Sequence, residues 1–139
     1  MKLDHVGIAV KNIEASSKLY RGYLSLGEVE REELPDEQVR VAFFDAGGTR
    51  IELLEPIGRR GPLSQFLATR GEGMHHLAFA VSDLQGAIKE AVDAGHRPID
   101  AQPRRGSGGR LIAFIHPSTT HGVLIELIQA VTDPSTSVI

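Results

Sequence analysis

The fold of this chain is decided by a stretch that occurs twice. Residues 3–13 read LDHVGIAVKNI, and residues 74–84 read MHHLAFAVSDL. Aligned without gaps, the two stretches place His5 on His76, at an offset of about half the chain. Because self-similarity at a fixed offset marks an internal repeat, we expect a duplicated half-domain.

A second pair of segments supports the duplication. Residues 48–54 read GTRIELL, and residues 122–128 read GVLIELI, which places Glu52 on Glu126 at nearly the same offset. A period near 70 residues is longer than the repeats of solenoid proteins, which are about 20–50 residues. Two half-domains of one fold explain this period better than a solenoid does.

The hydrophobic periodicity within each half predicts the order βαβββ and therefore an α+β fold. We expect modules at about 1–70 and 72–131, followed by a flexible polar tail over 132–139. The expected elements are strands 3–10, 28–33, 39–44 and 50–54 with helix 13–24, a short helix 63–69, and strands 74–81, 97–100, 111–115 and 123–129 with helix 83–94.

Length and composition limit the function classes. The chain has 139 residues, 41% of them hydrophobic and 24% charged, which is typical of one soluble globular domain. It has no cysteine, which excludes disulfides, Cys-type zinc sites and thiol nucleophiles. The net charge of −3 argues against nucleic acid and anionic membranes as partners. No apolar membrane span or secretory signal is evident, so we expect a cytoplasmic protein.

The strand faces point to a cavity lined by histidine. Neighbouring side chains on a strand face opposite sides of the sheet. In the first strand, His5 shares its face with Gly7 and Ala9, and in the fifth, His76 shares its face with two alanines. Small residues beside an imidazole leave space above the sheet, so we expect a cavity on this face.

Two glutamates in matching strands suggest a metal ion in that cavity. Glu52 and Glu126 each lie between apolar neighbours, and burying an ionised carboxylate without a partner is costly. Two imidazoles and one or two carboxylates form a mixed N/O ligand set that suits Co, Mn, Ni, Fe or Zn. Four ligands, His5, His76, Glu52 and Glu126, would leave two of six coordination positions open, which favours catalysis over a structural role.

The remaining motifs are weaker signals. His75 lies on the strand face opposite His76, which favours a structural role, and His116 and His121 flank a loop that could line the site. The segment 106–110 resembles a phosphate-binding glycine loop but lacks the strand–turn–helix context that such loops need. Several loop arginines suit phosphate or carboxylate binding, although solvated loop charge is the plainer interpretation: Arg59, Arg60, Arg104, Arg105 and Arg110.

Together these motifs span about residues 3–130 and resemble the vicinal oxygen chelate superfamily of glyoxalases, bleomycin resistance proteins and dioxygenases. Within it, they resemble the epimerases that act on methylmalonyl-CoA. The resemblance implies that the two modules pair into a cup-shaped mixed sheet. It implies a divalent ion, most often cobalt, held by His5, His76 and Glu126 with Glu52 as the fourth ligand. It also implies a homodimer that interconverts (R)- and (S)-methylmalonyl-CoA, a CoA thioester.

This reaction needs a proton removed on one face of the α-carbon and delivered on the other. Glu126 is the first candidate for the catalytic acid and base. Some relatives carry a second glutamate on the third strand, where this chain has Val41. The opposite-face group is therefore open among Glu52, Glu37, His116 and a water molecule.

Two other functions remain open at this point. One is a glyoxalase-like lyase or isomerase that acts on a glutathione hemithioacetal with the same metal. The other is a metal-free small-ligand-binding protein of the same fold, and the fact that all four ligand positions are filled argues against it.

Overall fold

The structure, a computed structural model, describes residues 1–130 and divides into two compact units. The first unit is Leu3–Ala78, and the second is Met1–Lys2 with the chain from Phe79 on. The order βαβββ occurs twice, as expected for an α+β fold. The elements are β1 (Lys2–Ala9), α1 (Ile13–Ser17), β2 (Gly27–Leu34), β3 (Val39–Asp45), β4 (Arg50–Pro56), α2 (Pro62–Arg70), β5 (Gly73–Val81), α3 (Leu84–Asp93), β6 (Arg104–Arg105), β7 (Leu111–Ile115) and β8 (Ile125–Gln129).

In each module, the helix that follows the first strand begins with a side-chain N-cap. Asn12 has an extended backbone, and its side chain accepts a hydrogen bond from the Ala15 N–H at 2.8 Å. Asp83 does the same for the Gly86 N–H at 3.2 Å. Each side chain satisfies one of the backbone donors that a helix leaves unpaired at its N-terminus. The predicted helix 13–24 is correct in extent, but its second half, Lys18–Tyr23, is a π-helix.

In the first unit the strand order is β2-β3-β4-β1-β5. β1 pairs with β4 in parallel, and β3 pairs antiparallel with both β2 and β4. The register places Gly7 opposite Glu52 across the β1–β4 pair. The centre of β1 and the glutamate of β4 therefore lie side by side on one sheet face.

Both faces of this sheet carry an apolar core. The face under α1 buries five residues: Val10, Ile13, Ala42, Phe44 and Leu53. The opposite face, which also carries His5, buries Val41 and Phe43 against Leu63 of α2. The expectation of open space on the His5 face is therefore only partly correct, because α2 packs on that side.

In the second unit the strand order is β8-β7-β6, and α3 packs on an apolar cluster formed with β7 and β8. The predicted strand 97–100 is wrong: Pro98 makes only an isolated bridge to Ile115, and the short edge strand is β6. Two hydrogen bonds flank Pro98 and form the whole bridge, from the Ile99 N–H to the Phe114 carbonyl and from the His116 N–H to the Arg97 carbonyl. The predicted tail 132–139 lies outside the described residues.

Among the described helices, none is long and apolar enough to cross a membrane.

Candidate metal centre

Three of the four predicted ligands meet at one point of the first unit. His5 of β1, Glu52 of β4 and His76 of β5 each offer a ligand atom, and these atoms lie within 4.8 Å of one another. The His5 and His76 Nε2 atoms lie 3.3 and 3.2 Å from Glu52 Oε1, and 3.2 Å from each other. The three residues are 1%, 5% and 3% exposed in the order of the chain. We call them the ligand trio.

Gly7 provides the room that the trio needs. A Cβ atom built on Gly7 would stand 2.1 Å from Cε1 and 2.4 Å from Nδ1 of His76. Real Cβ atoms do not come this close to a ring, so the imidazole occupies the volume that a larger side chain would fill. The space inferred from the small residues of β1 is thus filled by the neighbouring histidine.

The trio holds an ionised carboxylate away from water. Burial raises the pKa of the Glu52 carboxyl, but the hydrogen bonds and positive charge of His5 and His76 outweigh burial and lower it to about 2. Glu52 is therefore negative at neutral pH. A buried negative charge of this kind requires a positive charge beside it.

The second ring nitrogen of each ligand histidine also has a partner. His5 Nδ1 lies 2.7 Å from Asp4 Oδ2, and since a carboxylate only accepts, the proton is on Nδ1. His76 Nδ1 lies 2.9 Å from His75 Nδ1. Burial lowers the pKa of His75 to about 4, so its ring is neutral at pH 7 and can accept a hydrogen bond from His76.

The trio fits a divalent ion. With Nδ1 protonated, His5 reaches Glu52 from Nε2 either as a doubly protonated cation or through a metal ion that replaces the second proton. Ligand atoms about 2.1 Å from one ion, at angles near 90–110°, are about 3.0–3.4 Å from one another. The observed spacings of 3.2–3.3 Å match this range. Nitrogen and oxygen donors together suit Zn, Mn, Fe, Co and Ni.

Glu126, the fourth predicted ligand and the predicted catalytic group, lies in the second unit. It is 6% exposed on β8, opposite Phe114 of β7. The sequence-based expectation of a buried carboxylate is met. Its coordination of a metal and its role in proton transfer stay predictions.

The other candidate residues have local contacts. His116 accepts a hydrogen bond from the Ser118 N–H at 3.0 Å and thereby caps a short turn. Arg105 donates to the Gly109 carbonyl at 2.7 Å, inside the glycine-rich loop. Val41 is 1% exposed within the apolar cluster under α2, so this position of β3 provides no acid.

Asp4 and Arg50, which lie near the trio, carried no prediction from the sequence. His75, expected from the sequence to be structural, contacts Nδ1 of His76. A signal was present in the duplication, since each predicted ligand histidine follows directly after a polar residue, Asp4 or His75.

Known proteins resemble this chain over nearly its whole length. A family profile described as the glyoxalase/bleomycin resistance protein/dioxygenase superfamily matches residues 4–114. An uncharacterized protein of Bacillus subtilis is 40% identical over 128 residues, which cover 92% of this chain and 91% of that protein. The mitochondrial methylmalonyl-CoA epimerase of Homo sapiens is 35% identical over 130 residues, which cover 93% of this chain and 74% of that protein.

Solved structures agree with the sequence matches. A methylmalonyl-CoA epimerase variant of Streptomyces coelicolor, in complex with 2-nitronate-propionyl-CoA, superposes with a TM-score of 0.89. It is 34% identical, and the match covers 95% of this chain and 99% of that chain.

Proposed function

Since this chain belongs to the glyoxalase/bleomycin resistance protein/dioxygenase superfamily, we propose that it is a divalent-metal-dependent epimerase that interconverts (R)- and (S)-methylmalonyl-CoA. The observation that carries the proposal is the buried convergence of His5, Glu52 and His76 on one point. The similarity to epimerases over more than 90% of the chain supports the choice of reaction. The choice of substrate rests on the similarity to the epimerases, because the Bacillus subtilis relative is uncharacterized.

The proposed reaction is a proton transfer at carbon. The α-hydrogen of methylmalonyl-CoA lies between a thioester and a carboxylate, and its removal yields an enolate beside an existing negative charge. When bound, a divalent ion supplies positive charge that offsets this build-up. His5, Glu52 and His76 would hold that ion, with Glu126 as the proposed fourth ligand.

Glu126 is the proposed base. Its carboxylate would accept the α-proton and, once protonated, return a proton to the same face. Inversion needs a proton delivered to the opposite face. Glu52 is a poor proton donor for this step because its pKa is about 2, so its carboxylate is ionised at neutral pH. Val41 has no acidic group. Glu37, His116 and a water molecule remain the candidates.

The metal, the assembly and the location are proposed with the reaction. Cobalt is the proposed ion, and Mn, Ni, Zn and Fe are the alternatives. Chelated protein reloaded with each ion in parallel would rank them by the rate of α-proton exchange. The proposed partner is the CoA thioester substrate, and the proposed assembly is a homodimer. Light scattering of the purified protein tests the dimer. A cytoplasmic location stays a prediction from the sequence.

The reaction is tested by hydrogen exchange at the α-carbon. Purified protein is chelated, reloaded with Co²⁺ and incubated with (S)-methylmalonyl-CoA in deuterated water, and deuterium uptake and epimer ratio are followed. We expect metal-dependent uptake with loss of stereochemical purity. The Glu126→Gln variant should lose the deuterium uptake. The Glu90→Gln variant, which changes an exposed carboxyl of α3, should keep it.

Exchange no faster than in the chelated control would overturn the epimerase proposal. Turnover of the methylglyoxal–glutathione hemithioacetal instead would replace it with a glyoxalase-like lyase or isomerase. Binding of small ligands without turnover of either substrate would replace it with a binding protein.

A further inference from the structure

A series of polar contacts leads from the ligand trio to the edge of the sheet. His5 Nδ1–H donates to Asp4 Oδ2 at 2.7 Å. Arg50 Nη2 donates to the same carboxylate oxygen at 3.1 Å, and Arg50 Nη1 donates to Glu30 Oε2 at 3.1 Å. The four side chains come from β1, β4 and β2, so the series crosses the sheet of the first unit.

We propose that Asp4, held by Arg50, is a positioning residue that fixes the tautomer and ring orientation of His5 for metal binding. The inference rests on the metal centre of the proposed function and not on its substrate. In this role Asp4 acts on the metal position through His5.

The geometry restricts what Asp4 can do. Its carboxylate accepts and does not donate at neutral pH, so the proton it receives must sit on Nδ1 of His5. Nε2 then faces Glu52 and His76 and is the nitrogen left for a metal. A carboxylate on the far nitrogen also raises the basicity of a ligating imidazole.

Arg50 holds Asp4 and also braces the ring of His5. Its guanidinium lies 4.0 Å from the centre of the Phe43 ring, and the Phe43 and His5 rings make a T-shaped contact at a centroid distance of 5.4 Å. Phe43 is fully buried, and the side chains of Asp4 and Arg50 are only 16% and 24% exposed. Solvent therefore screens these contacts less than it would at the surface.

The duplication makes the arrangement informative. Asp4 in the first repeat corresponds to His75 in the second, and both contact Nδ1 of the ligand histidine that follows them. The first partner is a carboxylate, and the second is an imidazole. We therefore expect His5 to be the more strongly held of the two histidine ligands.

Cobalt titration tests the role of Asp4 without any substrate. Metal-free wild type, Asp4→Ala, Asp4→Asn and Arg50→Gln are titrated with Co²⁺, and the dissociation constant and visible absorption are recorded. Loss of such an outer contact typically weakens metal binding by about 10–100-fold. We expect that range for Asp4→Ala and smaller losses for the other two. Asp36→Asn, which changes an exposed carboxyl, should bind within about twofold of wild type.

A second measurement reads the tautomer of His5 directly. Two-bond ¹H–¹⁵N spectra of the metal-free protein, recorded at a pH high enough for the His5 ring to be neutral, should show the proton on Nδ1 in the wild type and a mixture of tautomers in Asp4→Ala. A residue that only supported folding would not change this signature. Asp4→Asn keeps an acceptor oxygen but loses the charge, so it should keep the proton on Nδ1 of His5 while its Co²⁺ affinity falls. If Asp4→Ala does not fold, this pair of results carries the test, and an unchanged Co²⁺ affinity would contradict the inference.

An Asp4→Ala protein that binds Co²⁺ with wild-type affinity and spectrum, and keeps the Nδ1–H tautomer, would overturn the inference. A wild type that binds no divalent ion would overturn both this inference and the metal centre. A wild type that binds Co²⁺ in an Asp4-dependent way but does not exchange methylmalonyl-CoA protons would refute only the proposed reaction.

Discussion

Gly7 of β1 and the imidazole of His76 of β5 are in direct contact, so that a single added methyl group at position 7 would overlap the ring. The overlap involves Cε1, Nδ1 and Nε2, with the nearest approach at 2.1 Å. The position of a proposed metal ligand is therefore determined by a glycine 69 residues earlier in the chain.

Gly7→Ala should displace His76 and weaken Co²⁺ binding by at least about tenfold, the lower end of the effect of disturbing a ligand's surroundings. Gly27→Ala is the matched control, because Gly27 also lies in a strand and a Cβ there meets nothing within 4 Å. Isothermal titration with Co²⁺ compares the two. Equal affinities in the two variants would show that the close approach of Gly7 does not set the position of the His76 ring in the metal site.

Removal of the metal ion should lower the free energy of unfolding of the wild type, because the ligand trio binds the ion only in the folded state. An ion at 100 times its dissociation constant adds about 2.7 kcal/mol to the free energy of unfolding. In Glu52→Ala the same Co²⁺ concentration should add less than about 1 kcal/mol, because the ligand oxygen and the buried negative charge are both gone. Denaturant unfolding with Co²⁺ and with chelator measures both. A full metal gain in Glu52→Ala would exclude Glu52 as a ligand.

The buried ring of His75 should make the metal-free protein less stable in mild acid. The pKa of His75 is about 4 in the folded chain and near 6.5 when unfolded, because burial disfavours its protonated form. Between these values the unfolded chain binds the extra proton, so stability falls as pH drops from 6.5 to 4.

Replacing His75 should reduce the acid-induced loss of unfolding free energy by about 2 kcal/mol, a figure that allows for the partial exposure of its side chain. The measurement is the difference in unfolding free energy between wild type and His75→Gln, in chelator, at pH 7 and pH 4.5. Parallel losses in the two proteins would assign the acid sensitivity to other groups.

The two helix caps should contribute similar amounts to stability. Asn12→Ala and Asp83→Ala each remove a side-chain acceptor for a helix N-terminal N–H, and each should cost about 1 kcal/mol. Urea unfolding measures the loss, and the Asn12→Ser and Asp83→Ser variants should recover most of it. A serine variant as unstable as its alanine counterpart would show that the loss does not come from capping.

The duplication, the order of the elements and the residues of the trio can all be read from the amino-acid sequence alone. Alternation along a strand places His5, Glu52 and His76 on inward-facing positions whatever the partner strand is. The caps Asn12 and Asp83 follow from local backbone chemistry at the start of each helix. Such features depend on residues near one another in the chain, and they can be read without knowing which strands pair.

The atoms that meet around the trio, by contrast, are known only from the folded structure. The contact of Gly7 with the His76 ring and the reach of Arg50 to Asp4 depend on strand register and side-chain rotamers. The packing of α2 on the His5 face and the single bridge at Pro98 depend on elements distant in sequence. Periodicity specifies the face on which a side chain lies, but its partner on that face is determined by register and close packing.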